Sequence, residues 1–211
     1  MGSGQHRTGL EVNVGYWLSH PGRIPSGIAY WVWEKLNPDK PWLCRGTIKF
    51  CEREFAGSMT GVEFGSGRST AWFARRVGHL TSVEHDSGWH ARVNETLQGE
   101  GLTNIDYRLV RLDHPEDEPE RSEYDSLPAY VAVLNDFEDE SLDLVVVDGH
   151  YRTTCIKESL QKLKSGGLLL VDDINLWPSP ASLPVPDGWP VVDRSSNGIK
   201  QTWIWRKPPP R

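Results

Sequence analysis

The sequence predicts an α/β fold with a doubly wound, mostly parallel seven-stranded sheet that ends in a C-terminal antiparallel hairpin. Three observations carry this prediction. After Gly57, short apolar segments alternate with longer amphipathic ones, the pattern of βα units on a parallel sheet. One apolar segment runs through a glycine-rich turn directly into a helix. Near the C-terminus, two β-type segments are separated only by the turn-forming region around Asn197 and Gly198, which predicts a hairpin.

The elements are expected in the following order. A helix should run over residues 26–36, capped by Ser26 and ending before Pro38, and a second helix over residues 42–55. The five parallel strands are TGVEF, LTSVE, IDYRLV, LDLVVVD and GLLLVDD. Helical spacing between them occurs at residues 70–77, 89–97, 127–137 and 153–163. The hairpin strands are PVVDRSS and KQTWIWRK.

Composition limits the classes of partner. The 211 residues suit one compact domain, and 23 basic against 29 acidic residues give a net charge of −6 without any basic run. This balance argues against nucleic acid as a partner. No apolar run is long enough for a membrane span, so no membrane partner is expected. The absence of a signal-like start, and three cysteines without a CxxC pair, predict a cytoplasmic protein.

The densest functional signal is the segment GVEFGSGRST, residues 61–70. Its turn contains Gly65 and Gly67, where the backbone must bend tightly and a ligand can approach without meeting a Cβ atom. Glu84 ends the next strand 17 positions after Gly67. A similar separation, about 20 residues, places a carboxylate on the ribose hydroxyls in dinucleotide sites. The pattern therefore predicts a ligand that contains adenosine.

Two departures from the dinucleotide pattern indicate which ligand it is. Thr70 replaces the third glycine, and Glu63 lies inside the strand before the first one. A carboxylate is unfavourable beside a pyrophosphate but suits a ligand with a sulfonium and an ammonium group. S-adenosylmethionine is such a ligand. The same departures, and the terminal hairpin, weigh against a nicotinamide-binding dehydrogenase.

At these residues the sequence resembles the class I S-adenosylmethionine-dependent methyltransferases, whose first motif is an acid followed by GxGxG. The motif here runs from Glu63 to Ser69, and Ser69 stands in place of the last glycine. The segments LDLVVVDGHY and LKSGGLLLVDDIN look like the fourth and fifth strands of that family. The resemblance covers roughly residues 57–206 and implies a Rossmann-like fold.

The resemblance implies a set of cofactor-binding residues. Gly65 and Gly67 would border the methionine and ribose portions, and Glu84 would bind the ribose. Asp113 matches the position where many members place an acid near the adenine amino group, and His85 is expected to pack near the adenine. The whole expected set is Glu63, Gly65, Ser66, Gly67, Ser69, Glu84, His85, Asp113 and Asp148.

Carboxylates also follow the later strands. Asp148 ends the fourth strand, and Asp172 and Asp173 end the fifth, so all three should meet at the ligand crevice. Such a set could hold Mg²⁺ or Ca²⁺, an arrangement similar to the metal-dependent O-methyltransferases of the catechol and macrocin types. In the alternative, Asp148 orients cofactor or substrate and Asp172 caps a loop, with no metal. We favour the metal-free alternative.

His150 lies two residues after Asp148, and an imidazole suits proton transfer near neutral pH. The expected catalytic residues are therefore Asp148, His150 and Asp172. Arg152, in the same loop, could bind an anionic substrate group or be solvated.

The expected function is O-methylation of a small molecule, with N-methylation as the nearest alternative. A hydroxyl must lose its proton, either to a base or to a metal that acidifies it. An NAD-dependent oxidoreductase and a non-catalytic SAM-binding interaction module are further alternatives.

We expect residues 57–211 to form the Rossmann-like SAM-binding catalytic domain. Residues 1–56 should form a helical lid and substrate segment that bears Trp31 and Trp33, within one compact unit. Pairing of two copies as a homodimer is left open.

Overall fold

The computed structural model describes residues 24–116, 118, 120–121, 124–198 and 200–210, with side chains from residue 28 onward. Its strands are β1 (Thr60–Phe64), β2 (His79–Glu84), β3 (Ile105–Leu109), β4 (Leu142–Val147), β5 (Leu163–Val171), β6 (Val191–Ser196) and β7 (Gln201–Arg206). Its α-helices are α1 (Ile24–Leu36), α2 (Arg45–Glu54), α3 (Arg68–Ala74), α4 (Ser87–Gly99), α5 (Ala129–Ala132) and α6 (Arg152–Ser159). Within these described residues, no helix is long and apolar enough to cross a membrane.

The seven strands form one sheet in the order β3-β2-β1-β4-β5-β7-β6. Strands β1 to β5 pair in parallel, and β7 lies antiparallel between β5 and β6. The predicted fold, a mostly parallel sheet with a C-terminal antiparallel hairpin, is confirmed. The strand order reverses between β1 and β4, and ligands bind at such a switch point in open α/β sheets.

Several element boundaries differ from the prediction. Helix α2 begins at Arg45 rather than at residue 42, because the backbone at Cys44 is still extended. The helix expected over residues 127–137 is one α-turn that continues as a 3₁₀ turn over Val133–Asp136. Strand β5 begins at Leu163, within the segment for which a helix was expected.

The core lies on both faces of the sheet because successive residues of a strand point to opposite sides. In β4, Val145 and Val147 pack in the cluster that includes α5 and α6. Leu144 and Val146 pack in the cluster that includes α2 and α3. Burying each such side chain contributes about 1.5–3 kcal/mol, so a strand with an apolar residue at nearly every position is stable only between two helical layers.

Helix α2 is part of this core. The Thr47 hydroxyl donates to the Asp193 carboxylate on β6 at 2.9 Å. Gly46 packs against the Ser195 side chain so closely that a Cβ at Gly46 would lie 2.2 Å from Ser195 Oγ. The second helix of the N-terminal segment is therefore packed directly on the hairpin.

Candidate functional site

A cavity of about 250 Å³ opens at the carboxyl ends of β1, β2 and β4. Five of the expected cofactor-binding residues line it, namely Gly65, Ser66, Glu84, His85 and Asp148. The cavity lies where the strand order reverses, because β1 is flanked by β2 on one side and by β4 on the other. The position agrees with the general rule for ligand sites in open α/β sheets.

The glycine turn packs against the loop that follows β4. Gly65 has a φ of +91°, and a Cβ there would lie 2.6 Å from the Gly149 nitrogen. A Cβ on Gly149 would in turn lie 2.3 Å from the Tyr130 hydroxyl oxygen. At Gly67 the backbone is extended, and a Cβ would meet only the Trp89 ring at 3.9 Å. Gly65 is thus required by the fold itself, whereas Gly67 leaves space beside the cavity.

Glu63 is fully buried behind the turn. Its carboxylate accepts hydrogen bonds from the hydroxyls of Ser69 at 2.6 Å, Thr70 at 2.7 Å and Ser82 at 2.6 Å. Burial raises the pKa of Glu63 to about 7, although these hydroxyls oppose the shift. Neither Glu63 nor Ser69 lines the cavity. Their hydrogen bond to each other links β1 to the start of α3 and so stabilises the glycine turn between them. A direct contact of Glu63 or Ser69 with the cofactor stays a prediction.

Glu84 sits at the cavity wall with only 3% of its surface exposed. One carboxylate oxygen accepts from the Ser66 nitrogen and hydroxyl, at 3.2 and 2.7 Å. The other accepts from the backbone nitrogens of His85 and Asp86, at 2.8 and 2.9 Å, and lies 3.0 Å from His85 Nδ1. Burial favours the neutral acid, but the hydrogen bonds from His85, Asp86 and Ser66 outweigh it and lower the pKa to about 2. Glu84 is therefore an ionised acceptor at neutral pH.

Asp113 lies at the start of the acidic loop after β3. Its carboxylate accepts from the backbone nitrogen of Ala129 at 2.6 Å, at the beginning of α5. Asp113 does not line the cavity. The predicted contact with adenine stays a prediction.

Among the described tryptophans of the N-terminal segment, one lines the cavity. Trp42, in the loop between α1 and α2, lines the cavity and stacks on Trp89, with ring centroids 6.3 Å apart. Trp31 and Trp33 do not line the cavity, and the helical lid that was expected to bear them stays a prediction. Trp31 is 42% exposed to solvent, and Trp33 packs against the core cluster around α2 and α3.

The three expected carboxylates do converge. Asp148, Asp172 and Asp173 can each offer an oxygen within 4.8 Å of the others. Two cations already lie among them. The Lys200 ammonium donates to Asp172, and Arg152 Nη2 lies 3.2 Å from Asp148 Oδ1 and 3.8 Å from Asp173 Oδ2. The charges of the acids are therefore largely compensated within the chain.

Asp172 has no free oxygen in this arrangement. It is completely buried. Its Oδ2 accepts a hydrogen bond from the Lys200 ammonium, and its Oδ1 accepts one from the Thr202 hydroxyl. The set therefore does not fit a divalent metal while Lys200 and Arg152 are in place. The predicted catalytic and metal-binding roles of Asp172, and the metal-binding role of Asp173, have no support in this geometry.

Arg152 joins the loops that follow β4 and β5. Besides its ion pairs, it donates to the backbone oxygens of Gly149 at 2.9 Å, Asp148 at 3.0 Å and Asp172 at 2.8 Å. Arg152 is largely buried but lines the cavity, so its contact with an anionic substrate group stays a prediction. Sequence reasoning did not find Lys200, because a lysine beside a hairpin turn is usually an exposed residue.

His150 borders two cavities. It lines the cavity described above and also a smaller one of about 40 Å³, which the loop after β3 forms with Tyr124 and Tyr151. Its ring centroid lies 4.3 Å from that of His85. Burial and the neighbouring His85 lower the pKa of His150, so its imidazole is neutral near pH 7. Burial and the charge of Asp172 raise the pKa of Asp148.

Comparison with known proteins agrees with this geometry. Residues 62–174, more than half of the chain, match the model of a family described as "Methyltransferase domain". No curated protein matches the sequence.

Solved structures share the fold at low sequence identity. An rRNA methylase from Streptococcus thermophilus is 12% identical with a TM-score of 0.56, over 76% of this chain and 93% of that one. A methyltransferase-like protein from Silicibacter pomeroyi is 19% identical with a TM-score of 0.56, over 81% and 91%. A Streptococcus mutans protein described as a methyltransferase in complex with SAH is 11% identical with a TM-score of 0.54, over 75% and 94%. The chain belongs to the methyltransferase domain family and is an S-adenosylmethionine-dependent methyltransferase.

Proposed function

We propose that this enzyme transfers the methyl group of S-adenosylmethionine to a hydroxyl of a small molecule, with His150 as the base and without a divalent metal. The observation that carries the proposal is the position of His150 between the cofactor cavity and the second, smaller cavity. A residue in that position can contact an acceptor whose hydroxyl points towards the methyl donor.

Bound S-adenosylmethionine supplies a methyl group that is already activated by positive sulfur. The residues of the chain then have two tasks, to align the acceptor and to take its proton. The neutral imidazole of His150 can accept the hydroxyl proton as the oxygen–carbon bond forms and the carbon–sulfur bond breaks. We propose that Gly65, Ser66, Glu84 and His85 hold the cofactor, with Glu84 on the ribose.

The charge balance beside Asp148 supports the metal-free form of this reaction. Arg152 and Lys200 supply the positive charge that a metal would otherwise bring to the three aspartates. Asp148 lines the cavity and carries a raised pKa. Its proposed role is to orient cofactor or acceptor, while proton transfer falls to His150.

The surroundings of the second cavity favour a small acceptor over a nucleic acid. Glu116 lines the cofactor cavity, and Glu118 and Glu120 line the second one. These glutamates, in a chain with a net charge of −6, would repel a phosphate backbone. The same glutamates favour a cationic acceptor, so N-methylation of an amine is the second candidate.

The N-terminal segment is proposed to take part in acceptor binding. Trp42, which belongs to residues 1–56, lines the cavity. Residues 57–211 are proposed to form the catalytic domain. The formation of a homodimer stays a prediction.

The test is methyl transfer from labelled S-adenosylmethionine to matched panels of hydroxyl and amine compounds. His150→Gln should lower kcat by about 10²- to 10⁴-fold, the usual contribution of a general base, without weakening cofactor binding. His79→Gln, at the opposite end of β2, is the matched control and should retain the wild-type rate. A chelator should not lower the rate. Loss of activity with chelator and its recovery with Mg²⁺, or a wild-type rate in His150→Gln, would overturn the proposal.

A further inference from the structure

We infer that His85, His150 and Glu116 form a binding site for a borderline divalent metal such as Zn²⁺, separate from the three-aspartate cluster. Each residue offers one ligand atom, and these atoms all lie within 4.8 Å of one another. Two imidazole nitrogens and a carboxylate form a ligand set that Zn²⁺ accepts while it keeps a position open. The inference goes beyond the proposed function, which uses no metal.

His85 is oriented as metal-binding histidines usually are. Its Nδ1 lies 3.0 Å from the Glu84 carboxylate, so Nε2 is the nitrogen directed away from Glu84. That Nε2 atom is buried, and it has no hydrogen-bond partner within the described part of the chain. A carboxylate behind the ring fixes the tautomer and raises the basicity of a ligating imidazole. A buried nitrogen without a partner is a group that a metal ion would satisfy.

The other two proposed ligands, His150 and Glu116, lie close to His85. The ring of His150 is tilted by 65° to that of His85, with centroids 4.3 Å apart, so the two rings do not stack in parallel. A carboxylate oxygen of Glu116 lies 3.7 Å from His85 Nε2, too far for a hydrogen bond. Glu116 is 61% exposed, so its side chain can adjust to the roughly 2 Å that a zinc ligand requires.

The electrostatic surroundings differ from those of the aspartate cluster. There, Lys200 and Arg152 already occupy the positions beside the carboxylates. Glu116, in contrast, forms no ion pair with a lysine or arginine in the parts of the chain that the structure describes. Both histidines and Glu116 line the larger cavity, which leaves room for water at the open coordination position.

Occupation of this site has a consequence for the enzyme. A metal bound to His150 would lower the basicity of its imidazole, and it would lie in the cavity that is proposed to hold the cofactor. The ion should therefore inhibit methyl transfer.

The experiment is a titration of the full-length protein with Co²⁺ alone, followed by its visible absorption, and with Zn²⁺ alone, followed by calorimetry. One ion per chain should bind. Each of His85→Gln, His150→Gln and Glu116→Gln should weaken binding by at least the 10- to 100-fold that loss of a hydrogen-bond partner behind a ligand costs. His114→Gln, on the same loop as Glu116, is the matched control and should bind as wild type does.

Glu116→Gln has a second readout because its side chain is exposed and its substitution should leave the fold intact. Inhibition by Zn²⁺, measured for each protein relative to its own rate without Zn²⁺, should require at least about 10-fold more Zn²⁺ in this variant than in the wild-type enzyme. Wild-type Co²⁺ affinity in all three ligand variants would overturn the inference. Loss of Co²⁺ binding in Asp173→Asn would also overturn it, because the ion would then lie at the aspartate cluster. The titrations need no acceptor, so failure of the proposed O-methylation would not affect their outcome.

Discussion

The two halves of the site hold their carboxylates by different means. Near the ends of β1 and β2, Glu63 accepts from three neutral hydroxyls, whereas Glu84 accepts from backbone nitrogens and the Ser66 hydroxyl and also lies beside the imidazole of His85. At the ends of β4 and β5, Asp172 is satisfied chiefly by the ammonium of Lys200. A single carboxylate can be stabilised by nearby hydrogen-bond donors and an imidazole, whereas clustered carboxylates repel one another and are stabilised here by cations.

The first half also shows that the kind of donor decides the outcome. Glu63 and Glu84 are both almost completely buried, yet the pKa of Glu63 is raised and that of Glu84 is lowered. Glu63 receives three hydroxyl hydrogen bonds, which do not offset its burial. Glu84 receives backbone N–H groups as well as the Ser66 hydroxyl and the imidazole of His85, and these together outweigh burial. Only Glu84 is thus held as a charged acceptor beside the cofactor cavity.

The largest change in stability is expected from substitution of Lys200, the cation beside Asp172 at the ends of β4 and β5. Lys200→Met removes the counter-ion of Asp172, whose side chain is completely buried. The free energy of unfolding should fall by about 3–5 kcal/mol, as when one partner of a buried ion pair is removed. Urea unfolding measures this change. Lys164→Met, which removes a more exposed partner of Asp143, should cost no more than about 1 kcal/mol.

The assignment of Lys200 as counter-ion can be tested further with the double variant Lys200→Met/Asp172→Asn. Neutralising Asp172 should recover part of the lost stability, since the uncompensated buried charge is gone. A double variant that is no more stable than Lys200→Met would show that Lys200 acts by packing alone.

A smaller effect, with a defined pH dependence, is expected from Glu63. The pKa of Glu63 rises from 4.5 to about 7 on folding. Between these two pH values the folded state keeps the Glu63 proton, whereas the unfolded state loses it. The stabilisation is fully present below pH 4.5 and is lost as the pH rises through 7. At one pKa unit per 1.36 kcal/mol, the loss is on the order of 3 kcal/mol. When the pH is raised from 4.5 to 8, the Glu63 contribution to the unfolding free energy is lost in the wild type. The Glu63→Gln variant lacks this contribution, so its unfolding free energy should change by about 3 kcal/mol less in the direction of destabilisation.

Glu95→Gln, at an exposed position on α4, provides the control for this pH series and should follow the wild-type curve. If Glu63→Gln also follows the wild-type curve, then Glu63 ionises normally and its hydroxyl partners do offset its burial.

The smallest of the three effects concerns cofactor affinity. Glu84→Ala should weaken the binding of S-adenosylmethionine by about 1.5–3 kcal/mol, the net worth of hydrogen bonds to a charged group. Calorimetry with the cofactor and with its demethylated product measures the change. Glu100→Ala, on a surface ion pair with Arg75, is the control. Unchanged affinity in Glu84→Ala would show that its hydrogen bonds to Ser66 and His85 exclude it from the ribose.

Much of the fold could be predicted from the sequence because its signals are local. Apolar runs and helical spacing predicted all five parallel strands, and the turn around Gly198 predicted the hairpin. Some of the residues that line the cavity follow from the same logic, since Gly65 and Glu84 lie at strand ends, but others such as Trp42 do not. Boundaries were less accurate where a helix is short, as in the single turn of α5.

The sequence by itself determined the sheet, the family and the loops in which the site lies, because periodicity and glycine turns act over a few residues. Only the tertiary structure decided which charges and rings meet. Lys200 contacts Asp172, which lies 28 positions earlier in the chain. Trp42, which precedes the first strand of the sheet, stacks on Trp89. Gly65 meets Gly149 because β1 and β4 are neighbours in the sheet. Such contacts depend on strand order and register, which bring distant segments together.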